Sequence, residues 1–161
     1  MLRTRQQAHS WPAALLVLAL VLPFTALLVV GLVALQRARA LRLVRPQVGP
    51  GGSLHPAAPA VPTTAWGVLA MDDDGIGYFD RSGRLECGWP WAVVAAVEAG
   101  TVDDPLFGRR PALVIRFEDG LDVRFALPDR TGVRLPAALV EQAAAEATSR
   151  LARSGSTVSP P

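Results

Sequence analysis

Few side chains in this sequence are of the types that do chemistry, and they lie apart. Asp72, Asp73 and Asp74 stand together before Gly75. A calcium loop needs about six to eight oxygen ligands set around one point. Three adjacent side chains point in different directions, and no later Glu completes such a loop, so the triplet is expected to be a solvated turn. Asp103 and Asp104, followed by Pro105, read the same way. Cys87 is the only cysteine. Nucleophilic catalysis needs a neighbouring base, and no histidine lies in residues 66–151 to act as one. Cys87 is therefore expected to be a small core or edge residue. His9 and His55 fall on opposite sides of a long apolar run, which argues against a zinc site. Phosphate-loop and dinucleotide patterns are absent. The expectation is a chain without catalytic, metal or cofactor-binding residues, and not an enzyme. Two further features invite a binding role. Trp89 and Trp91 bracket Pro90, and Arg109 and Arg110 are adjacent. Trp91 is expected in the core. Trp89, with Phe107, Arg109 and Arg110, is either core and loop packing or part of an interaction patch.

The element that must position everything else is the apolar run. No residue from Ala13 to Leu35 is charged. A helix over these residues spans roughly 34 Å, enough for a hydrocarbon core about 30 Å thick. It is expected to be a transmembrane helix in which Pro23 removes one backbone hydrogen bond and offers a place for a kink. Trp11 before the run suits the headgroup level, and Arg37, Arg39, Arg42 and Arg45 follow it. The first 45 residues carry six arginines and no acidic residue, whereas the remainder carries ten arginines against fourteen Asp and Glu. Charge flanking an apolar run points to a lipid bilayer rather than to nucleic acid. The larger positive flank follows the helix, which places the C-terminal body in the cytoplasm of a single-pass protein of the cell membrane.

The chain divides accordingly. Residues 1–12 are an N-terminal flank, 13–35 the transmembrane helix and 36–45 a basic juxtamembrane stub. Residues 46–65 hold five prolines and three glycines and are expected to be an extended, partly stiff tether. The folded body is expected over 66–151, and residues 152–161 as a disordered tail. Within the body, WGVLAM and IGYFD flank the acidic turn as a hairpin, and Arg81–Ser82–Gly83 is another turn. LECGWPWAVVAAVEAG reads as strand, break at Pro90, strand, with a short helix over 92–99 as the alternative. Residues 101–111 look mostly loop-like. Residues 112–127 alternate apolar and polar with period two. A three-residue loop at Glu118–Asp119–Gly120 pairs Phe117 with Leu121, Ile115 with Val123 and Leu113 with Phe125, all on one face. A two-residue loop would mix the faces. A helix then follows Pro136, with Leu139, Ala143, Ala147 and Leu151 as its apolar stripe.

This order resembles the small bacterial pleckstrin-homology-like (PH-like) domains of membrane proteins. The similar segments are DDDGIGYF at 72–79, GWPWAVVAAV at 88–97, and LVIRFEDGLDVRFALP at 113–128. The resemblance implies a bent antiparallel sheet forming a split barrel, capped by the C-terminal helix, and binding rather than catalysis. The chain departs from that family in the loop-like 101–111, where a strand is expected to be lacking, and in having no lysine-rich phosphoinositide loop. Two functions follow as expectations. One is a membrane-tethered interaction module with a protein partner, as an accessory or stabilising subunit of a membrane complex. The other is a regulatory domain binding anionic lipid headgroups through Arg109, Arg110 and the juxtamembrane arginines.

Overall fold

A computed structural model describes residues 10–60, 66–104, 108–129 and 135–156. Helix α1 runs from Ser10 to Val44 without interruption. Pro23 lies inside it, and two residues later the Thr25 hydroxyl donates to the carbonyls of Val21 and Leu22, at 2.8 and 2.9 Å. At 35 residues α1 is roughly 52 Å long. The sequence boundaries are corrected here, because residues 36–44 are not a separate stub but the last turns of the same helix.

Seven strands follow: β1 Ser53–Pro59, β2 Gly67–Met71, β3 Gly75–Phe79, β4 Leu85–Pro90, β5 Val94–Asp104, β6 Gly108–Phe117 and β7 Asp122–Ala126. They form one antiparallel sheet in the order β4-β3-β2-β1-β7-β6-β5, curled into a half-barrel. Helix α2, Ala137–Ser156, caps it. Among the described residues the architecture is therefore one apolar N-terminal helix and a small, mainly β domain closed by a C-terminal helix, as the sequence led us to expect.

The tether reading is corrected over its described residues 46–60, and residues 61–65 lie outside the described residues. Residues 53–59 form the middle strand of the sheet. Strand β1 pairs with β2 along Ser53–Ala57 and with β7 only at Ala58 and Pro59. Each part of β1 is thus bonded mainly on one edge, which leaves room for Pro56 and Pro59, since proline cannot serve both edges of a central strand. The loop-like reading of residues 101–111 is also corrected: Thr101–Asp104 pair with Gly108–Pro111 as the far end of a long β5–β6 hairpin, and no strand is missing there. The helix α2 reaches Ser156, so the proposed tail loses its first five residues to the helix, and residues 157–161 lie outside the described residues.

The strand register at 113–125 is the one the alternation demands. Leu113 faces Phe125 and Ile115 faces Val123, while Phe117 N–H donates to Leu121 at 2.9 Å. Gly120 takes a φ of 84° in the turn, a region costly to a residue with a Cβ. Residues 94–99 are strand, not helix. The core gathers Leu69, Met71, Tyr78, Trp91, Leu113, Ile115, Phe125 and the α2 face Val140, Ala143, Ala144 and Ala147. The small alanines let α2 lie close over the opening of the half-barrel.

Candidate functional site: the junction of helix and barrel

Strand β2 is buried along its whole length, which an alternating strand achieves only when both faces of the sheet are covered. Leu69 and Met71 enter the barrel core. Val68 and Ala70 face outward and, with Phe79 of β3, receive Ala40 and Val44 of α1. Leu41, Val48, Leu54 and Trp66 pack around this second cluster. Val44, Val68 and Phe79 together contribute on the order of 5 kcal/mol of burial. The last turns of the apolar helix are therefore part of the folded domain.

Polar contacts fasten the same junction. Arg37 is 7% exposed. Its guanidinium lies over the Trp66 ring, 5.2 Å from the centroid, and Nη1 donates to the Asp129 carbonyl at 2.8 Å. Burial pulls its pKa below the ordinary arginine value, and the Asp129 charge works against that shift. Arg45 Nη1 donates to the Gly52 carbonyl at 2.7 Å, and Gln47 Nε2 to the Gly83 carbonyl at 2.8 Å. Gly83 has a φ of 83°, and a Cβ there would meet the Leu43 side chain at 3.0 Å. Arg39 and Arg42 point outward and are exposed. The four arginines read from sequence as one membrane flank are thus two pairs with different tasks. Trp11 lies within α1, where only the backbone is described.

Beyond the junction, Asp72 ties the hairpin to the incoming chain. Its carboxylate accepts from Gly49 N–H at 3.1 Å and from the N–H groups of Asp74 and Gly75 at 3.0 and 3.2 Å. Its carbonyl accepts from Trp91 Nε1 at 2.9 Å. Arg150, 8% exposed, donates to Asp73 Oδ1 at 3.0 Å, the Gly51 carbonyl at 2.6 Å and Glu146 Oε1 at 3.0 Å. His55 Nε2 lies 3.8 Å from Glu146 Oε2, beyond hydrogen-bond range. Burial lowers the His55 pKa, with Glu146 opposing. The acidic triplet is thus a fastening turn. The Arg150 clamp was not anticipated from the sequence. Its position three residues after Ala147, on the buried stripe, was the available signal.

Of the patch expected at Trp89, Phe107, Arg109 and Arg110, the described residues Trp89, Arg109 and Arg110 are not brought together. Trp89 packs tilted against Phe117 and edge-on against Phe125, with centroids 5.6 and 6.2 Å away, at one end of β6. Arg109 and Arg110 sit at the other end, roughly 24 Å along the strand. There Arg109 lies 3.6 Å from Asp103 and Arg110 3.6 Å from Asp104. A groove of about 480 Å³ runs beside them under the start of α2, with Glu141 in its wall. Those charges compensate one another and do not make a cationic patch. Phe107 lies outside the described residues. Cys87 is exposed on the edge strand β4. Among the described residues no group of three or more His, Cys, Asp or Glu side chains is placed to hold a metal. No family model matches the chain, and no curated protein matches it at significant similarity.

Proposed function

We propose that this chain is a single-pass protein of the cell membrane that holds a small β domain at the cytoplasmic surface as a protein-interaction module, an accessory or stabilising subunit of a membrane complex. The observation that carries the reading is the contrast along α1. Leu15 to Leu35 are largely exposed, Leu27 to 72%, although α1 is long and apolar enough to cross a bilayer. Water does not tolerate such a surface, and lipid does. From Arg37 onward one face of the same helix, Arg37, Ala40 and Val44, is buried in the domain. With the hydrocarbon edge at about Leu35, Ala40 and Val44 lie roughly 8–14 Å beyond it, so the domain rests close to the bilayer.

The PH-like resemblance enters this proposal as the expectation of binding rather than catalysis. What supports a non-catalytic reading is the engagement of the reactive residue types: Asp72, Asp73, Glu146 and Arg150 hold segments together. Binding of lipid headgroups through Arg109 and Arg110 is disfavoured by their pairing with Asp103 and Asp104.

The native single cysteine supplies the test. Cys87 in the full-length chain should react with a membrane-impermeant maleimide only after the inner face is opened, and the chain should stay in the membrane pellet through alkaline extraction. Labelling of Cys87 in intact cells would reverse the orientation. Release into the soluble fraction would remove the anchoring. Cross-linking in intact membranes should then capture a stoichiometric protein partner.

A further inference from the structure

We propose that Arg39 and Arg42 form a contact for anionic phospholipid headgroups, a role that Arg37 and Arg45 do not share. The inference rests on the membrane-anchored reading. Its first observation is the division of labour at the junction. Arg37 is buried over Trp66 and bonded to Asp129, and Arg45 donates to Gly52. Arg39 and Arg42 are exposed and have no hydrogen-bond or ion-pair partner among the described residues.

Its second observation is direction. Ala40 and Val44 define the face of α1 that docks on the sheet. At 100° per residue, Arg39 and Arg42 lie within about 60° of each other on the opposite face, in line with the exposed Leu35. They therefore point away from the protein and along the lipid-facing side of the helix.

Depth follows from the membrane-anchored reading. If the hydrocarbon ends near Leu35, Arg39 lies roughly 6 Å and Arg42 roughly 10 Å beyond it. The polar headgroup layer is about 5–8 Å thick per leaflet. An arginine bends its charged end towards that layer while its stem covers apolar surface. Two guanidiniums one turn apart can meet one phosphate or two neighbouring ones, with the planar donor geometry that suits phosphate oxygens. The docked domain fixes both the height and the rotation of α1, so this pair is held at the lipid surface instead of sampling many depths.

The test uses the full chain in mild detergent and counts bound lipid by native mass spectrometry. Dioleoyl phosphatidylglycerol and dioleoyl phosphatidylcholine are offered at equal concentration. The wild type should prefer the phosphatidylglycerol, and Arg39→Gln with Arg42→Gln should weaken that binding about thirtyfold, roughly fivefold per arginine. Arg109→Gln with Arg110→Gln removes the same net charge elsewhere and should leave binding at the wild-type level. Equal affinity for both lipids overturns the proposal outright, because the anionic headgroup is then not recognised, and equal loss in both double variants overturns it in favour of general charge. Full displacement by millimolar inorganic phosphate overturns it in favour of a soluble anion. An acidic protein that co-purifies with the wild type and is lost from the Arg39/Arg42 variant, with lipid binding unchanged, overturns it in favour of a protein partner. These results leave the anchoring reading standing. That reading fails separately, through release of the wild type from membranes without detergent.

Discussion

Arg150 collects acceptors from three parts of the chain: Gly51 before β1, Asp73 in the β2–β3 turn, and Glu146 one turn back on α2. Replacing it by alanine removes a buried cation and leaves Glu146 and the Gly51 carbonyl without their donor. We expect Arg150→Ala to destabilise the domain by about 3 kcal/mol, the scale for breaking a buried pair from one side. Thermal melting of the purified chain measures it, and a loss below 0.5 kcal/mol, the ordinary range for a surface substitution, would refute the clamp. Arg37 and Arg39 offer a matched contrast on one helix. Arg37→Gln should lower the melting temperature, because a ring contact and a buried hydrogen bond are lost. Arg39→Gln should not. Neither clamp was legible as such, because the partners are up to 99 residues away and local patterns carry no information over that distance. What was legible is that both arginines sit in phase with small apolar residues. Arg37 precedes Ala40 and Val44 at spacings of three and seven, and Arg150 follows Ala147 and Ala143 at the same spacings. A charge on an apolar stripe signals a buried partner.

At the scale of elements, β6 and β7 could be paired residue by residue from sequence because each alternates cleanly and only one loop length keeps the apolar faces together. Gly120→Ala should cost about 1 kcal/mol by forcing a Cβ into the left-handed region, read as a shift of the denaturation midpoint. Strand β1 was hidden because its prolines imitate a linker. Its right to be a strand comes from partners, β2 on one side and β7 on the other, that a local reading does not see. The same strand carries His55 against Glu146 of α2. Burial depresses the His55 pKa, so the unfolded chain binds this proton more readily than the folded one. The unfolded state then holds more protons as pH falls through 6.5 and below. The His55 contribution to stability is therefore complete above that value and is lost as pH falls towards the lowered folded pKa. Melting curves between pH 8 and 5 should show stability falling with pH, and His55→Leu should flatten that slope. An unchanged slope would mean that His55 is not the group responsible.

For the whole molecule, the consequential finding is that the apolar helix and the β domain share a core. The expected picture was a folded body at the end of a proline-rich tether. The structure replaces it with a helix whose last turns fill the outer face of β2 and β3. The composition of residues 46–65 concealed this, and so did the basic residues at 37–45, which read as a membrane flank. The junction can be opened without touching the membrane segment. Ala40→Glu places an unpaired carboxylate in a fully buried site and should cost several kcal/mol at the interface. Protease should then cut between Val44 and Ser53 in the variant, while the wild type resists. If both are cut equally, the packing of α1 on the sheet is not what protects that segment. A rigid junction also gives the proposed anchoring its functional content, because any partner meets the domain at one height and one orientation above the bilayer.

The central claim is that fusion of α1 with the half-barrel. Pulsed electron paramagnetic resonance on the full chain in liposomes tests it most directly, with one spin label on the native Cys87 and a second on Val29→Cys. A shared core predicts a single narrow distance distribution that broadens when Ala40→Glu is added. A broad distribution in the parent chain, of the kind a loose proline-rich tether would give, would contradict it.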